Sequence, residues 1–167
     1  MVEGLFAARA SANQNQTEGN SGPMGKALTI FPLLVFPVII YALMVAFASG
    51  GEGASSPAVL DSLNVVVFGI PMISGVKWTL TGGDALLLFA LIVLSIELVK
   101  STSTKSPAIM NHAASMALMV LCLVLFLISP SYATSVFFFI LMMTVLDVLV
   151  GVMVTIVSAR RDFGIGG

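Results

Sequence analysis

Four apolar runs govern what this chain can fold into, because each is at or near the length that crosses a bilayer. A membrane helix needs about 20 mostly apolar residues, and the stretches 27–48, 84–100, 108–129 and 133–159 meet or approach that. The second, DALLLFALIVLSIELVK, is the shortest and reaches full length by snorkelling of Lys100. The linker between the third and fourth, SPSYA, is so short that these two helices must form an antiparallel hairpin. Composition points the same way: 58% of the residues are hydrophobic and 9% charged, against roughly 25% charged in soluble domains. The chain of 167 residues suits one domain. The sequence therefore predicts an all-α membrane protein: a polar tail, 1–26, followed by a four-helix transmembrane domain, 27–167.

Orientation follows from the placement of Lys and Arg. Assigning ends and loops alternately, one side holds Arg9, Lys26, Lys100, Lys105, Arg160 and Arg161, and the other holds only Lys77. That asymmetry predicts both termini in the cytoplasm. Ala46-Phe47-Ala48 ahead of Ser49 resembles a signal-peptidase site, but the apolar run before it exceeds the usual 7–15 residues, so it is expected to be a retained span. The four-span layout, with ARRDFG after the last run, is similar to that of small bacterial inner-membrane proteins. The resemblance implies a multi-pass protein of that membrane and carries no activity.

Two segments lie outside the runs. The tail contains SANQNQTEGNSGP, a composition expected to be disordered, after EGLFAARA, which could form two helical turns. It is the expected docking element for a neighbouring subunit. Asn15-Gln16-Thr17 matches a glycosylation acceptor that a cytoplasmic position would make inert. On the other side, AVLDSLNVVVF has apolar residues at 59, 60, 63, 66 and 67, which predicts a short helix lying in the interface. IPMISGVKWTL then reads as two short strands around Ser74-Gly75, with Lys77 and Trp78 as interface anchors alongside Arg160 and Arg161 at the opposite end. Thr81 and Asp84 have the spacing of a capping box that starts the second membrane helix.

Ionisable residues inside spans are costly, and each marks a structural or functional role. Glu97 and Lys100 are spaced for an ion pair at the cytoplasmic end of the second span. His112, four residues into the third, lies on the same side, where a contact with Glu97 is possible. Two alanines in NHAAS leave room beside it for haem or chlorophyll, although a lone histidine more often packs than ligates. In the fourth run Thr144, Asp147, Gly151, Thr155 and Ser158 step by three and four, as do His112, Ser115, Met119, Cys122 and Ser129 in the third. Such stripes let membrane helices approach closely and hydrogen-bond. Asp147 sits near mid-span, where a charge costs about 2.5–3.5 kcal/mol on insertion scales. A neutral, hydrogen-bonded aspartate facing protein is expected. Pro37 cannot donate to the carbonyl of Leu33, which suggests that carbonyl as one acceptor.

These residues exclude much. A net charge of −1 gives no footprint for nucleic acid. One cysteine rules out an internal disulfide, and one histidine a histidine cluster. No nucleophile–base pair or metal set can be assembled. The expected function is a non-catalytic accessory or assembly subunit of a larger inner-membrane complex of respiratory or photosynthetic type, with bound lipids and no cofactor. The alternatives are a small proton- or ion-coupled transport subunit using Asp147, and a pigment or haem carrier using His112.

Overall fold

A computed structural model describes residues 31–48, 56–101 and 107–163. The side chains of 56, 107–109 and 158–163 are not included. The tail, the predicted docking element and the Asn15 motif lie outside these residues, as does Lys105. So do the side chains of Ser158, Arg160 and Arg161.

The described chain is mostly helical. Helix α1 spans Val35–Ala48 and α2 spans Ser56–Leu63. Strands β1, Val66–Pro71, and β2, Lys77–Thr81, form an antiparallel hairpin. Helix α3 covers Gly82–Ser101 and α4 Pro107–Ile128; a 3-10 turn, Pro130–Tyr132, leads into α5, Ser135–Phe163. Three helices, α3, α4 and α5, are long and apolar enough to cross a membrane, and α1 is a shorter apolar helix. Most large apolar side chains on their outer faces are exposed, including Leu91, Ile92, Val120, Leu127 and Met153. The core between them is built from Leu34, Val38, Tyr41, Ala90, Leu94, Cys122, Phe137 and Ile140, among others.

The hairpin between α4 and α5 keeps an antiparallel register. Phe126 stacks near Phe138 with ring centroids 5.6 Å apart. Further along, Ser115 meets Asp147 and His112 meets Gly151. The numbers rise on one helix as they fall on the other.

Three local expectations need correction. Within the described part of the run at 27–48, Phe31 to Leu34 are non-helical and α1 begins at Val35. Pro37 therefore falls in the first turn, where its missing N–H removes no helical bond. The Leu33 carbonyl accepts from the Phe36 N–H at 3.0 Å, so it is not an orphan acceptor for Asp147. Second, the helical spacing over 59–67 crosses a boundary. Helix α2 closes with the Asn64 N–H on the Leu60 carbonyl, and Val66 and Val67 belong to β1. A run of three β-branched valines after Asn64 favours strand over a further helical turn. Val59 and Leu63 are also buried in the core, so α2 plugs the end of the bundle as well as lying across it. Third, the buried stripe of α4 keeps Ser115 and Cys122 but takes in Asn111 and Leu118 where His112 and Met119 were expected, as described below.

At the hairpin turn the Gly75 N–H donates to the Met72 carbonyl and the Met72 N–H to the Val76 carbonyl. Gly75 has φ of +81°, the left-handed conformation that closes a three-residue hairpin loop and favours glycine. Strand β2 runs directly into α3. There Thr81 Oγ1 accepts from the Asp84 N–H at 3.2 Å, while Asp84 Oδ2 accepts from the Thr81 N–H at 3.0 Å. This reciprocal pair caps α3.

Candidate functional site

The polar residues of the bundle interior gather on two levels. At the end of α3, Glu97 is fully buried and is the centre of a network. Its Oε2 accepts from the Leu33 N–H at 2.8 Å; its Oε1 accepts from Asn111 Nδ2 at 2.6 Å and from Lys100 Nζ at 3.2 Å. Lys100 Nζ also donates to the Phe31 carbonyl at 2.8 Å and to Asn111 Oδ1 at 2.9 Å. The Glu97–Lys100 pair is thus only part of the arrangement. The partner of Glu97 on α4 is Asn111 rather than its neighbour His112.

The reason lies in the rotation of α4. Its buried positions include Asn111, Ser115, Leu118 and Cys122, a stripe stepping by four, three and four. His112 and Met119 sit at its half-buried margin. Asn111 belongs to the same periodic set as Ser115 and Cys122, so the sequence carries the signal.

The second level is Asp147. It is buried, and the Ser115 hydroxyl hydrogen-bonds its carboxyl. Glu97, His112 and Lys100 lie within electrostatic reach. One turn on, Gly151 faces the imidazole of His112. A Cβ at Gly151 would stand 2.8 Å from His112 Cε1, so only glycine lets the ring lie against the α5 backbone. Thr144 is buried and donates to the Leu141 carbonyl at 2.7 Å, its own helix. Thr155, predicted on the same stripe, is exposed and donates to the Gly151 carbonyl at 2.9 Å. The shared face of α5 therefore ends near Gly151. Of the alanines beside His112, Ala113 is exposed, so it adds no space inside the bundle.

At the opposite end, Tyr41 ties α1 to the α4–α5 turn, a role not anticipated from sequence. Its hydroxyl donates to the Ser131 carbonyl at 3.0 Å and lies 2.6 Å from Thr134 Oγ1, which in turn accepts from the Phe137 N–H. The rings of Tyr41, Tyr132 and Phe137 surround these bonds, with centroids 4.9–5.5 Å apart. Burial, and after it the Cys122 thiol nearby, holds the Tyr132 phenol above the usual tyrosine range. A lone aromatic in an apolar run gives little notice of such a contact.

No protein-family model, curated protein or solved structure matches the chain. Among the described residues no group of three or more His, Cys, Asp or Glu side chains is placed to hold a metal. The free cysteine, Cys122, is buried. Glu97, Lys100, Asn111, Ser115 and Asp147 join segments of the bundle.

Proposed function

We propose that the chain is a non-catalytic subunit of a larger complex in a bacterial inner membrane, crossing it four times with both termini in the cytoplasm and using its tail to dock. The observation that carries this reading is that, among the described residues, every buried side-chain nitrogen and oxygen has a hydrogen-bond partner. Buried polar groups in a catalytic or ligand site are aimed at a substrate; here Glu97, Asn111 and Asp147 bond between segments and Thr144 bonds its own helix.

The first span shows why. Its helix of 14 residues is about 21 Å long, short of a hydrocarbon core of about 30 Å. Residues 31 to 34 ahead of it form a turn, with the Val35 and Phe36 N–H groups on the Pro32 and Leu33 carbonyls, so they add less than the roughly 13 Å of an extended segment. Non-helical backbone is tolerated at membrane depth only where protein satisfies it. Lys100 takes the Phe31 carbonyl and Glu97 the Leu33 N–H. The ion pair that a functional reading would single out thus completes the first span.

A proton-carrying role is the second reading, favoured by one observation: Glu97 and Asp147 are both buried and are bonded to Asn111 and Ser115, which lie one turn apart on α4. The two are separated by purification from the native membrane in gentle detergent, followed by reconstitution. The subunit reading expects a particle of fixed stoichiometry heavier than the chain, and no proton flux from liposomes holding the chain alone. A chain that purifies alone and dissipates a pH gradient overturns it.

A further inference from the structure

We propose that the β-hairpin roofs a lipid site, in which one acyl chain of a membrane phospholipid lies in the groove between the hairpin, α3 and α5. The inference rests on α3 and α5 being membrane spans and not on the subunit role. The hairpin separates its two faces. The register pairs Phe68 with Leu80 and Ile70 with Trp78, so these four side chains share one face. Gly69, Pro71, Lys77 and Thr79 share the other. The Lys77 stem lies across Gly69 on that side: a Cβ at Gly69 would stand 2.7 Å from Lys77 Cε. The hairpin's charge therefore points away from its apolar face.

That apolar face is not free-standing. Trp78 and Leu80 form the upper wall of a groove of about 550 Å³, continued downward by Leu88 and Leu91 of α3 and by Phe139 and Met143 of α5. This is the size of pocket that takes a small ligand. The capped start of α3 holds β2 against the span with no linker, which fixes the hairpin at the membrane surface.

Depth argues for a lipid over a protein partner. From Gly82 to Leu91 is nine residues, about 14 Å along the helix, and one leaflet of a hydrocarbon core of about 30 Å is about 15 Å. The groove is thus one leaflet deep. Leu88, Leu91 and Phe139 are each about half exposed on the side the bilayer bathes. The carboxylate at the groove, Asp84, is already held by the Thr81 N–H and hydroxyl. Trp78 stands at the headgroup end, where an indole has its apolar body in hydrocarbon and its N–H near ester and phosphate oxygens.

Trp78 is the chain's one tryptophan, so its fluorescence reports this site alone. The full chain is reconstituted in phosphatidylcholine vesicles in which part of the lipid carries bromine on one acyl chain, at shallow or deeper carbons. The expected result is strong quenching by shallow bromines, with little by aqueous acrylamide. Leu88→Phe, an exposed position that fills the groove, should cut the bromine quenching by roughly half with helicity unchanged. Quenching by acrylamide and not by bromine would overturn the proposal by placing the hairpin in water. Protection from both would overturn it by placing a protein, such as a second copy, over the face. Equal bromine quenching in Leu88→Phe and the wild type would overturn it by showing that Trp78 senses only bulk lipid.

Discussion

The Leu33 N–H donates to Glu97 Oε2 at 2.8 Å, a side chain on α3 standing in for the backbone partner that the entry to α1 lacks. The same carboxylate gathers Lys100 and Asn111 on its other oxygen, so three segments meet at one residue. Glu97→Ala removes the shared acceptor and leaves the Lys100 ammonium without its counter-charge, on the neutral Phe31 carbonyl and Asn111 Oδ1. Breaking a buried pair in this way costs about 3–5 kcal/mol, and the partial exposure of Lys100 places the expected loss at the low end of that range. The measurement is the midpoint of denaturation in detergent by titration with sodium dodecyl sulfate. Glu97→Gln should do less harm, because one oxygen remains for Leu33. A Glu97→Ala protein as stable as the wild type would show that the network does not hold the entry to α1.

Gly151 and His112 are expected to behave as one unit. Gly151→Ala pushes a Cβ into the imidazole, and overpacking of this kind costs about 1–3 kcal/mol. With His112→Ala in the background the added methyl has room. The double-mutant cycle should then show a coupling within the range of about 0.5–3 kcal/mol seen for contacting residues. Additive effects would mean that ring and glycine do not touch. The same cycle bears on pigment binding, since a histidine committed to helix packing should give a purified protein without visible absorption.

Tyr41→Phe keeps the three-ring cluster and removes only the hydroxyl. The Ser131 carbonyl, in a buried residue, then loses that bond, and Thr134 Oγ1 loses one neighbour. The cost should be about 1–2 kcal/mol, read as a lower thermal midpoint in detergent with unchanged helicity. Thr134→Val should cost more than Tyr41→Phe, because it also removes the cap on the Phe137 N–H.

Orientation is testable without purification. A reporter active only outside the cytoplasm should be silent when fused after Gly167 and active when inserted near Gly53. The opposite pattern would overturn the argument from Lys and Arg placement, and activity at both sites would mean an even number of spans between them instead of three.

Much of this was legible in the residues because lipid imposes one rule on every span. Length and hydropathy located α3, α4 and α5, and the short SPSYA linker demanded their antiparallel hairpin. The capping box at Thr81 and Asp84 and the turn glycine at 75 are local chemistry that spacing alone reveals. The entry to α1 was not legible, because Phe31 to Leu34 are as apolar as the helix they precede. What makes them non-helical is Pro32 and Pro37 combined with partners 60 or more residues away. Asn111 and Tyr41 were missed for a related reason. Periodicity marks a buried face only to within a residue's rotation, and the neighbours that choose between Asn111 and His112 belong to another helix.

Asp147 and Ser115 make the deciding experiment. The carboxyl is buried on α5 and takes the Ser115 hydroxyl from α4, which binds the two arms of the hairpin near the middle of the span. In a membrane such a bond is worth about 0.6–2 kcal/mol. Asp147→Leu should weaken packing by that amount, and Ser115→Ala should weaken it little further once Asp147 is gone. Asp147→Asn preserves shape and hydrogen-bonding ability and removes the titratable proton. If the residue is there to hold helices together, the Asn protein assembles and supports growth or complex activity as the wild type does. If it carries protons, the Asn protein assembles and is inactive, since the barrier then is the missing proton and not the fold. Measuring assembly and activity on the same preparation separates the two. The Ser115 bond to Asp147 and the network on Glu97 predict the first outcome: a working Asn variant, with Leu loosening the bundle.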